Sequence, residues 1–106
     1  MSDPTTQYAS PIRDTTLDEA KTLINGNRAQ DYGNAHESFT RLAHIWTGIL
    51  GHQVTAPQVA LCLAGLKMSR LAHTPNHHDS WVDLAGYAAL GAEIATNHNL
   101  TAPAPK

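Results

Sequence analysis

The sequence lacks the features that several common protein classes require. It has one cysteine, Cys62, so no disulfide forms within the chain, and the apolar run around this residue predicts a buried thiol. No apolar run in its 106 residues approaches the length of a membrane span, and residues 1–13 are polar, without the apolar segment of a signal peptide. These absences predict a soluble cytoplasmic protein with no membrane partner.

Charge and motif content exclude further classes of function. The chain has 7 Lys and Arg residues against 9 Asp and Glu residues, so it lacks the basic face that binding to extended nucleic acid requires. It has no glycine-rich phosphate loop, no nucleophile elbow and no dinucleotide-binding fingerprint. Its 7 histidines do not stand in a zinc-motif spacing, and no CxxC is present, which argues against a structural zinc site.

Composition and apolar spacing favour helices. Aromatic residues make up only 6% of the chain, and alanine is abundant while valine and isoleucine are sparse. Apolar residues recur at intervals of three and four in four segments, which predicts helices from Thr16, over 35–50, from Thr55 to before Pro75, and over roughly 79–96. Short connections make these helices antiparallel neighbours, so we predict an all-α fold, a compact bundle of four helices.

The same pattern predicts one domain with two flexible ends. Residues 1–14 form a polar arm with two prolines, residues 15–98 form the helical domain, and residues 99–106 form a proline-containing tail. A domain of this size buries a limited share of its surface. We therefore expect self-association into a homo-oligomer.

Two aspartates on the fourth helix do not fit a plain bundle. At 100° per residue, Asp79 and Asp83 share a stripe with Gly86, Leu90 and Ile94, so they are expected to face the other helices. Inward carboxylates are costly unless they meet cations, hydrogen-bond donors or a metal ion, and Mg²⁺ accepts such oxygen ligands. The alternative is that Asp79 caps the helix while Asp83 forms an ion pair or faces solvent.

Cations on the third helix are candidate partners for these aspartates. Lys67 and Arg70 are three residues apart, and the turn before the fourth helix can bring them toward Asp79 and Asp83. Such a group is either a structural ion-pair cluster or a phosphate-binding site, because arginine forks onto phosphate oxygens and lysine adds a point charge. The segment 28–34 offers Arg28 and Tyr32 as further ligand contacts, or a turn with a packed tyrosine.

Several short motifs together resemble a family of small bacteriophage proteins of unassigned function. The likeness covers about residues 17–95 and depends on Arg28, Asp31-Tyr32-Gly33, Phe39, Leu42-Ala43, Trp46, Val59-Ala60, Leu66 to Leu71, His78-Asp79-Ser80 and Asp83 to Ala88. Its last part is similar in turn to the MazG-like all-α nucleoside triphosphate pyrophosphohydrolases. That resemblance implies an oligomeric helical bundle, bound Mg²⁺ and cleavage between the α and β phosphates.

The resemblance assigns roles to particular residues, but it is incomplete. Asp79 and Asp83 match the later acidic pair of the MazG-like proteins at a spacing of four instead of three, and Glu37 is the one acid on the second helix. The three carboxylates are therefore the candidate catalytic and metal residues, while the first E-x-x-E pair of the superfamily is absent. Activity as an enzyme stays open at this point.

Three functions fit these residues. The first is a phage nucleotide-handling protein of the host cytoplasm, with Mg²⁺ on Asp79, Asp83 and Glu37 and with phosphates and base held by Lys67, Arg70, Arg28 and Tyr32. The second is a non-catalytic phage accessory protein that binds a nucleotide or a host protein through an oligomeric helical surface. The third is purely structural: a buried ion network that fixes helix register.

Overall fold

The computed structural model describes residues 11–26 and 35–101, with side chains described up to residue 96. These residues form four α-helices and no strand: α1 (Pro11–Asn25), α2 (Ala35–Leu50), α3 (Ala56–His73) and α4 (His78–Thr101). The predicted all-α fold with four helices is confirmed. Within these ranges no helix has both the length and the hydropathy needed to cross a membrane.

The ends of α2 and α3 follow from local chemistry. Gly51 stops α2 with a φ of 71°, a left-handed conformation that glycine adopts without steric cost. Thr55 caps α3: its hydroxyl accepts the Gln58 N–H at 3.3 Å, and the Gln58 side-chain oxygen accepts the Thr55 N–H at 2.9 Å. The predicted bounds of these two helices are therefore close to the observed ones.

The start of α1 differs from the prediction. The helix begins at Pro11, and the Thr16 hydroxyl donates to the Ile12 carbonyl at 2.7 Å, so Thr16 lies inside the helix and is not its cap. Proline suits a first helical position because its φ is already helical and it has no N–H to leave unsatisfied. Residues 11–14, which the sequence pattern assigned to the flexible arm, are thus helical. Residues 1–10 and 102–106 lie outside the described residues.

The core lies where α2, α3 and α4 meet. α3 and α4 share the most extensive helix interface, and α2 packs mainly on α3. Five buried residues form the central cluster: Phe39, Ala43, Val59, Ala60 and Ile94. Small residues let the helices approach closely, since a Cβ at Gly91 would lie 3.1 Å from the Ala60 Cβ.

Helix α1 has a different relation to the rest of the chain. Within the described residues it packs against α4 alone, where Ala20 is buried and a Cβ at Gly86 would lie 3.2 Å from the Ile24 Cγ2. The His78 ring and the Glu19 carboxylate join the two helices at 2.9 Å. Helices α2, α3 and α4 therefore pack against one another, and α1 packs on the outside of α4. This arrangement is more open than the compact bundle that was expected.

Candidate functional site

A tight connection places the end of α3 beside the start of α4. The Thr74 N–H donates to the Arg70 carbonyl at 2.8 Å, and the His77 N–H donates to the Thr74 carbonyl at 3.1 Å. The Trp81 indole N–H reaches back across the turn to the Pro75 carbonyl at 2.7 Å. These bonds fix a helical hairpin whose two arms carry the charged residues singled out in the sequence.

One predicted pair meets directly at this hairpin. The Lys67 Nζ lies 3.0 Å from the Asp83 Oδ2, and the two side chains are 20% and 15% exposed. Gly86, Leu90 and Ile94 follow Asp83 on the inward stripe, with Gly86 and Ile94 buried and Leu90 half-buried. The pair is thus mostly shielded from water but not fully buried.

The other two members of the predicted cluster lie at its edge. Asp79 is exposed in the first turn of α4, so the inward stripe begins one turn later than the helical spacing suggested. A carboxylate in the first turn of a helix is favoured by the helix dipole, but α4 begins at His78, so Asp79 lies inside the helix and is not its N-cap. Arg70 is exposed, and its Nη2 lies 3.4 Å from the His77 Nε2.

The described residues do not fit a magnesium site. Mg²⁺ prefers several oxygen ligands in near-octahedral geometry. No group of three or more His, Cys, Asp or Glu side chains in residues 11–26 and 35–96 is close enough to share an ion, and Glu37 is exposed on α2. The described residues therefore do not assemble Asp79, Asp83 and Glu37 into one site, and binding of Mg²⁺ stays a prediction.

Two further predicted ligand contacts belong to a part of the chain that the structure does not describe. Arg28 and Tyr32 belong to the connection between α1 and α2, and residues 27–34 lie outside the described residues. Their proposed roles in holding phosphate and base stay predictions.

The structure places two further residues, Ser80 and His77, at this hairpin. Ser80 is only 1% exposed, and its Oγ lies 2.7 Å from the Nδ1 of His77, the residue before α4. The spacing could have indicated Ser80, because it lies three residues before Asp83 and so falls on the same inward side of the helix. We name the group formed at this hairpin the hairpin site; its members are Lys67, Arg70, His77, Ser80 and Asp83.

The fold and this site define a small all-helical domain whose polar chemistry is concentrated at one helical hairpin. The family model described as "Domain of unknown function (DUF6378)" matches residues 15–95, and the chain belongs to this family. The match covers α2, α3 and most of α1 and α4, so it includes every described residue of the hairpin site.

The curated relatives are bacteriophage proteins. The chain is 41% identical over 75 residues to the Gene 55 protein of Mycobacterium phage L5, which covers 70% of this chain and 48% of the relative. It is 36% identical over 83 residues to the Gene 55 protein of Mycobacterium phage D29, covering 78% and 55%. The chain thus spans about half the length of these relatives, and no solved structure matches it.

These comparisons confirm the predicted relationship to phage proteins of unassigned function. The family description and the two relatives' names state no activity. They do not extend the likeness to the MazG-like pyrophosphohydrolases, which stays a prediction.

Proposed function

We propose that this phage-family protein is a nucleotide-handling protein that binds the phosphate groups of a nucleotide at the hairpin site. The observation that carries the proposal is the Lys67–Asp83 pair, which is held at 3.0 Å between two largely apolar helices and still keeps part of each side chain in contact with solvent. Arg70, one turn beyond Lys67 on α3, is an exposed cation.

Stability alone is a weak reason for an ion pair at this position. Moving a lysine and a carboxylate out of water costs free energy that their mutual attraction only partly offsets, so a shielded ion pair is a weak device for holding two helices together. The same lysine is well suited to a phosphate, because Asp83 fixes its ammonium group at one place. Arginine adds a planar fork that matches two phosphate oxygens.

The catalytic part of the hypothesis depends on the MazG-like resemblance. That resemblance implies release of pyrophosphate from a nucleoside triphosphate. The described residues supply cations for the phosphates but do not assemble the carboxylates that a metal-dependent cleavage needs. The proposal therefore specifies binding, and an assay for pyrophosphate decides whether cleavage follows.

The first experiment measures which nucleotides stabilise the protein. A nucleoside triphosphate is expected to raise the melting temperature more than the monophosphate, and the nucleoside is expected to have no effect, because each added phosphate adds charge for Lys67 and Arg70. A ligand selective for the folded state at about 100 times its Kd adds about 2.7 kcal/mol of stability. Each nucleotide is tested with and without Mg²⁺, and pyrophosphate is measured in the same samples.

A matched pair of variants gives this screen its control. Arg70→Gln removes a cation of the hairpin site, while Arg41→Gln removes an exposed arginine from α2. Stabilisation by triphosphate should weaken in the first variant and persist in the second. Equal stabilisation of both variants, or none of the wild-type protein by any nucleotide, would contradict the proposal.

A second candidate function is favoured by a separate surface. Helix α3 is apolar on its outward side as well as its inward side: Leu61, Leu66 and Met68 are 71%, 62% and 56% exposed, and the exposed residues among 61–69 carry no charge. A helix that is apolar all round is usually buried on all sides. This face supports the accessory-protein hypothesis, in which an oligomeric helical surface engages a second copy or a host protein.

Self-association through this face is directly measurable. Sedimentation equilibrium of the wild-type chain should give a mass above the 11.4 kDa of one copy, because pairing would remove these side chains from water. The double variant Leu61→Glu with Leu66→Glu is expected to sediment as a single copy, whereas Lys21→Glu on α1 should behave like wild type. A wild-type protein that stays at the mass of one copy at high concentration would rule out self-association.

A further inference from the structure

A groove between α1 and α4 lies apart from the hairpin site. It has a volume of about 690 Å³, and both helices supply its apolar lining: Ile12, Leu17, Trp81, Leu84, Ala85 and Ala88. Trp81 and Asp83 are two residues apart, which is about 200° around a helix, so they lie on nearly opposite sides of α4. We propose that this groove is a second ligand site, which binds a flat aromatic molecule carrying one carboxylate group.

Trp81 gives the groove a fixed aromatic surface. Its indole N–H donates to the Pro75 carbonyl at 2.7 Å, and the side chain is nevertheless 46% exposed. Because the hydrogen bond holds the ring in place before a ligand arrives, binding costs little side-chain entropy at this residue. Aromatic rings also attract one another in offset or edge-to-face arrangements, which adds to the gain from burying apolar area. The exposed indole therefore favours an aromatic ligand.

Small residues make room for a ring beside the indole. Ala85 and Ala88 follow Trp81 by four and seven residues, so all three lie along one side of α4, and all three line the groove. An alanine has no side-chain atom beyond Cβ, which leaves space next to the helix backbone. The volume of the groove lies within the range of about 300–1,000 Å³ that is usual for small-molecule sites, which are mostly apolar with a few polar groups.

The polar residues of the lining show where the polar group of the ligand would bind. Three of them line the groove: Arg13, Thr16 and His78. The Thr16 hydroxyl donates to the Ile12 carbonyl at 2.7 Å, and the His78 Nε2 lies 2.9 Å from the Glu19 carboxylate, so both already have partners. Arg13 is exposed and forms no ion pair with a carboxylate of the described residues. A polar group on the ligand would therefore meet the Arg13 guanidinium.

The charge of the lining favours an anion. Helix α1 carries carboxylates, but none of them lines the groove, and Asp18 and Glu19 line a separate hollow together with Thr15 and Thr22. The guanidinium of Arg13 can hold a carboxylate through two parallel N–H···O hydrogen bonds. An aromatic ring that carries one carboxylate thus matches both the indole surface and the cation.

The two tryptophans of the chain make the site directly observable by NMR. In a titration of the wild-type chain with naphthalene-1-acetate, the indole N–H signal of Trp81 should shift, with a Kd of about 1 mM or lower, as usual ligand efficiencies give for a probe of this size. The signal of Trp46, which packs against the core cluster from α2, should stay in place. No shift of the Trp81 signal would overturn the proposal.

A second probe and an arginine variant test the preference for an anion. Naphthalene-1-acetamide has nearly the same shape as the acid but no charge, and it should bind about tenfold more weakly, since one charge-assisted hydrogen bond corresponds to about that factor. Arg13→Gln should weaken binding of the acid by a similar factor and leave the amide unchanged, whereas Arg41→Gln on α2 should bind both probes like wild type. Equal affinity of the wild-type chain for the acid and the amide would overturn the choice of an anion.

A pair of alanine substitutions tests the position of the site without removing any core residue. Ala88→Leu fills the groove and should weaken binding of both probes at least about tenfold. Ala89→Leu makes the same change at the next residue, which is also exposed on α4 but does not line the groove, and it should bind like wild type. Melting temperatures near that of wild type would show that both variants are folded. Equal affinity of the two variants for naphthalene-1-acetate would refute the groove as the binding site.

Discussion

Replacing Ile94 by alanine is expected to destabilise the protein more than any other single truncation of an aliphatic side chain. Ile94 is 1% exposed on α4 and lies in the same buried cluster as Phe39, Val59 and Ala60. Truncating a large aliphatic side chain in a packed core costs about 2–5 kcal/mol, because the lost transfer free energy adds to the cost of the cavity. The free energy of unfolding, from urea denaturation followed by circular dichroism, measures this directly.

The size of the chain makes that loss severe. Small domains are stable by only about 5–15 kcal/mol in total, so the Ile94→Ala protein is expected to be partly unfolded at moderate urea concentrations where wild type is folded. Leu61→Ala is the control, because it also truncates an aliphatic side chain, but one that is 71% exposed on α3. If the two variants lost equal stability, the assignment of the core to the α2–α3–α4 junction would be wrong.

The inward stripe of α4 could be predicted from the helical repeat alone. A step of 100° per residue places Asp83, Gly86, Leu90 and Ile94 on one face, and all four are at least half-buried in the structure. The same rule included Asp79, which is exposed. Periodicity gives the direction of a side chain but not where the neighbouring helix ends, and at the first turn of α4 the hairpin leaves the carboxylate in solvent.

Helix α3 shows where the same rule gives no answer. The helical repeat places Val59, Cys62, Leu63 and Leu66 on one face, and Cys62 was predicted to be buried, yet Cys62 and Leu66 are exposed. Residues 56–66 are apolar on every side apart from one glutamine, so their sequence holds no polar face against which to set the helix. The rotation of α3 is decided by packing, in which Val59, Ala60 and Ala64 present a small surface to which the neighbouring helices can come close.

The hairpin site was only partly visible in the sequence for a related reason. Charge complementarity between Lys67 and Asp83 predicted a contact, since two inward charges of opposite sign on neighbouring helices are most stable when paired. Neither Ser80 nor His77 belongs to an inward pair of opposite charges, so the same rule does not predict their contact. Their contact depends on how the residues 74–77 turn, and this geometry becomes apparent only when both helices are in place.

Removing the Lys67–Asp83 pair as a unit is expected to separate stability from ligand binding. Lys67→Met alone should destabilise the protein by about 1–3 kcal/mol, because a largely shielded Asp83 loses its lysine partner. The double variant Lys67→Met with Asp83→Leu places two apolar side chains of similar size at the helix interface. Such replacements are often neutral or stabilising, so the double variant should fold with a melting temperature near or above that of wild type.

The same double variant is expected to lose triphosphate affinity by at least about tenfold, equivalent to about 1.4 kcal/mol. Calorimetry would measure the affinity, and Lys21→Met with Asp18→Leu, which removes an exposed lysine and an exposed aspartate from α1, is the control with the same net charge. A stable double variant with unchanged affinity would refute the nucleotide proposal. A double variant that binds no nucleotide but melts well below wild type would instead mean that the pair acts mainly as a structural ion network. Retained stability together with lost binding is the one combination that a ligand-binding pair predicts, because the fold is then intact while the cation that meets the phosphate is gone.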